Sequence, residues 1–194
     1  LPGVQLYHAM DALYDEPGIR FITTRHEQAT AYMSDGYSRG GGGIGAALVV
    51  PGPGLLNASA AIGTAYAASS PILIVSGQIQ RELIGVRRGV LHEVDDQLDS
   101  IRAVTKWAHR VLRPEEIPDA IHEAFYQLRT GRPRPVEIEI PPETLAEEAE
   151  MEAALEEHCT MQGAIAALGF KGRRRLRPYV PPTKTEFEEW LAES

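Results

Sequence analysis

Two short stretches of the chain carry residue types whose spacing could do chemistry, and a third imitates one. Thr24-Arg-His-Glu27 places a carboxylate three residues after a hydroxyl. That is the pattern of a capping box, with Thr24 as N-cap and Glu27 reaching back to its amide. The same glutamate follows an apolar run and would stand at a strand's C-terminal end, where open α/β sheets bind ligands. A carboxylate walled by apolar strands could there hold or transfer a proton. Spacing leaves both readings open. Pro51-Gly52-Pro53-Gly54, followed by Asn57, again lies after an apolar run. Two glycines let a backbone approach a flat ligand closely, and the next helix would offer free amides. A plain strand-to-helix turn would use the same residues. Gly40, Gly42 and Gly45 spell G-x-G-x-x-G, but a dinucleotide fingerprint needs those glycines after a strand and at a helix start. Here a helix precedes and a strand follows, so the segment reads as a flexible turn.

Strand ends and helix starts must position these residues, and the punctuation by glycine and proline supplies them. Val4, Leu6, Tyr7, Met10 and Leu13 fall at helical spacing, and Glu16-Pro17-Gly18 stops that helix. A short strand is expected over Ile19 to Thr23 and a helix over His26 to Ser38, with Ala29, Ala31, Tyr32 and Met33 as its small and apolar residues. Ile44 to Val50 is apolar on both faces, as a strand inside a parallel sheet is. An Ala-rich helix follows from Leu55 to Ala68, then a buried strand from Ile72 to Ser76. Gln78 to Asp99 reads as a charged, irregular loop of the kind that carries function or moves. A strand over Trp107 to Leu112 precedes a helix opened by Pro114, with Ile117, Ile121, Ala124, Phe125 and Leu128 as its apolar stripe. Val136 to Ile140 is the last strand, ended by Pro141-Pro142. The alternation predicts an α/β fold over residues 1–145: a doubly wound, mostly parallel sheet with helices on both faces. Residues 146–194 read as an acidic linker and a basic, proline-containing tail with no domain of their own.

Composition narrows the function classes. The chain has 194 residues, is 43% hydrophobic and carries a net charge of −8, the balance of a folded and acidic domain. That charge argues against a nucleic-acid partner, and the Lys171 to Arg177 cluster reads as a solvated tail. No apolar run is long enough to span a membrane. Cys159, the single cysteine, can form no internal disulfide, and with His158 it lacks the other ligands of a zinc site. A reducing cytoplasm is the expected location.

Arg25-His-Glu-Gln-Ala-Thr-Ala-Tyr-Met-Ser-Asp-Gly-Tyr-Ser-Arg39 resembles the signature helix of thiamine diphosphate enzymes of the acetolactate synthase group. Val50 to Asn57 is similar to that family's GPG-x-x-N turn, and Pro71 to Gln78, Thr105 to Trp107 and Gly131 to Val136 follow in family order and spacing. The resemblance covers about residues 1 to 143 and is to the pyrimidine-binding domain. It implies that Glu27 hydrogen-bonds a ring nitrogen of the cofactor's aminopyrimidine and is catalytic. It places Pro51, Gly52, Pro53, Gly54, Asn57 and Gln78 near that ring, and Lys106 at the active-site entrance. Leu1-Pro-Gly3 resembles a loop that in the family follows a first helix and strand, which implies a truncated N-terminus. One departure stands out: His92 occupies the place of a family glutamine, in a segment two residues longer. An imidazole there could take part in proton transfer near neutral pH, and it puts acetolactate synthesis itself in question; a solvated loop histidine is the other reading.

The resemblance further implies thiamine diphosphate as cofactor, leaves FAD open, and assigns Mg2+ and the diphosphate to a second domain with a GDG motif. No GDG occurs in this sequence. The expected partners are that diphosphate-binding domain, of the same or a partner chain, further copies in a dimer or tetramer, and a small 2-oxo acid substrate. The expected function is half of a 2-oxo acid decarboxylase or carboligase. A stand-alone α/β module that binds a ligand or partner, without catalysis, is the alternative.

Overall fold

A computed structural model of the protein describes residues 3–147; the expected acidic linker beyond Glu147 and the basic tail lie outside the described residues. A four-stranded sheet organises them. It holds β1 (Gly45–Val49), β2 (Ile72–Gly77), β3 (Trp107–Arg110) and β4 (Val136–Ile140), all parallel, in the order β1-β2-β4-β3. The chain steps past one strand position from β2 to β3 and then returns to insert β4 between them. Right-handed crossovers require a reversal of direction to be matched by a change of face. The helices obey this: α3 (Pro53–Ala68) and α4 (Gln97–Arg102) cover one face, and α5 (Ile117–Arg129) covers the other.

Each face has its own core. On one, Ile117, Ile121 and Leu128 of α5 meet Leu73, Val136, Ile138 and Ile140, with Leu6 and Ala9 at the edge. On the other, Leu55, Ala58 and Ile62 of α3 and Ile101 of α4 meet Ala47, Val49, Ile72 and Ile74. Fully burying one such Ile or Leu side chain stabilises by about 1.5–3 kcal/mol relative to exposure. The doubly wound reading is borne out, with helices on both faces.

The N-terminal helix is a single 3-10 turn at Val4–Leu6 followed by α1 (Tyr7–Tyr14). Helix α2 (Glu27–Tyr37) buries Ala31 and Ser34 instead of Tyr32 and Met33, which are exposed. It lies directly on β1: Ser34 Oγ donates to the Ala46 carbonyl at 2.7 Å, and a side chain at Gly45 would collide with the Ser34 carbonyl. A π-helical turn, Ser38–Gly42, connects α2 to β1, with Gly41 inside it at φ +87° and Gly43 ending it at φ +92°. It is the turn that the reversed glycine context implied.

Four expectations are corrected. Residues 19–23 form no strand: β1 pairs only with β2, and Phe21 and Ile22 face solvent. A strand is made by its ladder, and β propensity without a partner makes none. The capping box does not form. His26 is the N-cap of α2, its Nδ1 accepting from the Gln28 amide at 3.2 Å, while Thr24 Oγ1 bonds Thr30 Oγ1. The loop after Gln78 is partly regular, since α4 starts on Asp96, whose carboxylate accepts from the Asp99 amide at 3.1 Å. Finally, α6 (Pro142–Ala146) begins at the proline expected only to end β4, a residue that suits a first helical turn.

Candidate active site

Several segments converge at the C-terminal ends of β1 and β2. Gly77 ends β2 against Pro51, Gln5 and Leu6, and Gly3 abuts Val50. The chain leaves β1 through Val50 and Pro51, turns at Gly52 and enters α3 with Pro53 at its first position. Pro fits there because that amide would have no helical partner. Glu27 opens α2 beside this turn and is 7% exposed.

Glu27 and Asn57 are joined directly. Asn57, exposed in the second turn of α3, donates from Nδ2 to Glu27 Oε2 at 3.0 Å. Among the described residues Oε1 has no hydrogen-bond partner. Gly54 keeps this corner open: a β-carbon there would lie 2.4 Å from Val50 Cγ2 and 3.5 Å from Glu27 Cγ. The side chains suit an aminopyrimidine: a carboxyl group whose second oxygen, when protonated, can donate to a ring nitrogen, beside a turn that only glycine allows a flat group to approach. The residues present therefore fit the pyrimidine end of thiamine diphosphate.

Gly52 is held on two sides. Its φ of +55° is a conformation that favours glycine, and a β-carbon would lie 2.1 Å from the His92 carbonyl oxygen. Its amide donates to Gln97 Oε1 at 2.6 Å. His92 thus stands beside the turn, half-buried, with its ring Nδ1 bonded to Gln5 Nε2 at 2.7 Å. The Glu93 carboxylate shapes the loop that presents it, accepting from the Arg88, Gly89 and Val90 amides.

Gln78 and Lys106 are not brought to Glu27. Gln78 turns inward, its Nε2 on Glu139 Oε1 at 3.2 Å and its Oε1 on the Ile79 amide. Lys106 lies at the opposite, N-terminal end of β3. There its Nζ donates to the Gln127 and Thr130 carbonyls, both at 2.6 Å, at the C-terminus of α5. A cation on the last carbonyls of a helix is favoured by the helix dipole, so the entrance position expected for Lys106 gives way to a capping one.

Behind the turn lies a polar cluster that the sequence reading missed. Glu137 and Glu139 of β4 are fully buried on the α4 face. Ser76 donates to Glu137 Oε1 at 2.6 Å, and Glu139 accepts from Gln97, Gln78 and Arg110. Burial, and secondly the charge of Glu139, hold the Glu137 carboxyl well above the usual carboxylate range. The signal was present: Val136-Glu-Ile-Glu-Ile140 puts charges at alternate positions of a strand enclosed on both faces, and such charges need partners. Gln97 carried no signal. Among the described residues, no three His, Cys, Asp or Glu side chains are grouped to hold a metal ion.

Comparison with known proteins follows the same line. The family described as thiamine pyrophosphate enzyme, N-terminal TPP binding domain, matches residues 1–100. The chain is 42% identical over 144 residues to an acetolactate synthase large subunit of Haemophilus influenzae, covering 74% of this chain and 25% of that protein. It is 40% identical over 148 residues to a probable 2-ketoarginine decarboxylase of Pseudomonas aeruginosa, covering 75% and 26%. A solved structure from Mycobacterium smegmatis, assigned as a thiamin diphosphate-dependent enzyme, shares the fold with a TM-score of 0.64 at 22% identity, covering 74% of this chain and 27% of that one. The chain spans about a quarter of the length of the curated relatives it matches. With a buried glutamate, a glycine turn and an asparagine assembled at the strand ends, and with this match across them, the chain belongs to the thiamine pyrophosphate enzyme family, in its N-terminal TPP-binding domain.

Proposed function

We propose that residues 1–145 form the pyrimidine-binding domain of a thiamine diphosphate-dependent enzyme that decarboxylates or joins 2-oxo acids, similar to acetolactate synthase. The observation that carries this reading is Glu27, buried at a strand end with Oε2 taken by Asn57 and Oε1 free of partners among the described residues. When bound, thiamine diphosphate supplies a nucleophilic thiazolium carbon and an electron sink for the carbon that loses carbon dioxide. The protein's part here is orientation and proton placement. Glu27 holds a proton at Oε1 toward the ring nitrogen, Asn57 keeps the carboxyl from rotating, and Gly52 and Gly54, between Pro51 and Pro53, keep the approach clear of side chains. His92 offers a second proton-bearing group beside the turn.

The diphosphate and Mg2+ belong in this reading to a separate domain of the same or a partner chain, within a dimer or tetramer in the cytoplasm. Exposed Tyr32, Met33 and Tyr37 along α2 support an assembly that covers them. FAD is left open. Glu27→Gln in the assembled holoenzyme tests the reading: it keeps size and hydrogen bonding but loses the shareable proton. Deuterium exchange at the thiazolium carbon should slow by about a hundredfold to ten-thousandfold. An unchanged exchange rate would refute the role.

A further inference from the structure

Gln97 belongs to no motif, yet it links the glycine turn to three strands. It is 2% exposed. Its Oε1 accepts from the Gly52 amide at 2.6 Å, and its Nε2 donates to Ser76 Oγ at 3.0 Å, the Gly77 carbonyl at 3.0 Å and Glu139 Oε2 at 2.8 Å. Chemistry assigns the orientation of this amide. The Gly77 carbonyl and a carboxylate can only accept, and a backbone amide can only donate, so a flipped side chain would face donor to donor and acceptor to acceptor. Glu139 is itself held by Arg110 of β3. Gln97 is thus anchored to β2 and β4 directly and to β3 through Glu139.

We infer that Gln97 is a positioning residue for Glu27: by fixing the Gly52 peptide it sets the start of α3 and keeps Asn57 on the carboxylate. The inference deepens the proposed function and rests on it. Gly52 is the N-cap of α3, and its carbonyl accepts the helical bond from Leu56 at 3.0 Å. The Gly52 amide held by Gln97 shares its peptide group with the Pro51 carbonyl, which accepts from the Gly54 amide at 3.1 Å, so fixing that peptide fixes the first turn of the helix that carries Asn57 in its second. Without a side chain, Gly52 has a wide conformational range and nothing of its own to restrict it. Its neighbours must do so: the His92 carbonyl on one side and Gln97 on the amide.

Two variants separate hydrogen bonding from space filling. Gln97→Met keeps the length and loses every polar contact. Gln97→Glu loses both N–H donors and sets a carboxylate oxygen against Glu139 Oε2, a repulsion that drives the side chain off the Gly52 amide. Glu137 stands beyond Ser76, and Arg110 and Asp96 complete the charged surroundings. The readout is the Asn57 side-chain amide in nitrogen-15 spectra of the full 194-residue chain without ligand, with Glu27→Ala as the unbonded reference.

In both variants the Asn57 amide should move to its reference position. Affinity for 4-amino-5-hydroxymethyl-2-methylpyrimidine, titrated into the same samples, should fall about tenfold, the loss of roughly one net hydrogen bond. A residue that only fills space would lower the melting temperature and leave Asn57 in place. An unmoved Asn57 amide overturns the inference, and if Gln97→Met does not fold, Gln97→Glu decides alone. If Asn57 moves while the wild-type chain ignores the pyrimidine, positioning stands and the reading of Glu27 as the pyrimidine's partner fails.

Discussion

Glu27 and Glu137 are both buried carboxyl groups, and their surroundings give them different work. Glu27 keeps one oxygen turned from its asparagine partner at a strand end. Glu137 is enclosed, with Ser76 on Oε1 and, among the described residues, nothing on Oε2, while Arg110 sits on Glu139 instead. Glu137 therefore keeps its proton well above the usual carboxylate range, through burial first and the charge of Glu139 second. In the unfolded chain the proton leaves in the ordinary range. Between those two points the native state binds the extra proton, so stability falls as pH rises. Glu137→Gln keeps the acceptor for Ser76 and removes the titration. Across that window the wild type should lose about 1.4 kcal/mol per pH unit relative to the variant. Urea unfolding of both proteins at pH 5 and pH 7 measures it, and a pH-independent difference would overturn this account.

At the scale of elements, two glycines of the same helix region make opposite predictions. Gly52 combines φ +55° with a would-be β-carbon 2.1 Å from the His92 carbonyl oxygen. Gly52→Ala should cost about 2 kcal/mol or more. Gly63 lies inside α3, where a β-carbon would meet only Val104 Cγ1 at 3.4 Å. Gly63→Ala should be neutral or add up to about 1 kcal/mol through helix propensity. Thermal unfolding of the pair decides, and equal effects would contradict the assignment of the turn. Lys106 makes an element-scale prediction as well. Lys106→Met removes two hydrogen bonds from the end of α5 and should cost about 1–2 kcal/mol, read from the urea midpoint. An unshifted midpoint would remove it from the capping role.

For the molecule as a whole, the described residues hold the proposed pyrimidine end of a site and no grouped metal ligands. A net charge of −8 gives no general attraction for a phosphorylated anion. The chain alone should therefore bind thiamine diphosphate with magnesium only weakly, above the micromolar range, because a flat slot and a few hydrogen bonds leave little after the cost of association. Calorimetric titration of the purified chain checks this. Submicromolar binding would mean a phosphate site on the chain itself.

The sequence by itself determined the alternation of elements from β1 onward, the glycine turn at the end of β1, and the family; the packing of α2 against α3 brought Glu27 to that turn. Helix periodicity, proline at helix starts and apolar strands are local signals, carried by residues close in the chain. The tertiary structure alone decided that β4 takes an inner position, which encloses Glu137 and Glu139 and makes Gln97, Ser76 and Arg110 their partners. It also decided that Ile19 to Thr23 finds no ladder and that Lys106 lies at the far end of the sheet from Glu27. Those outcomes depend on which distant segments meet. A crossover that reverses direction sets those meetings, and no spacing within one segment records it.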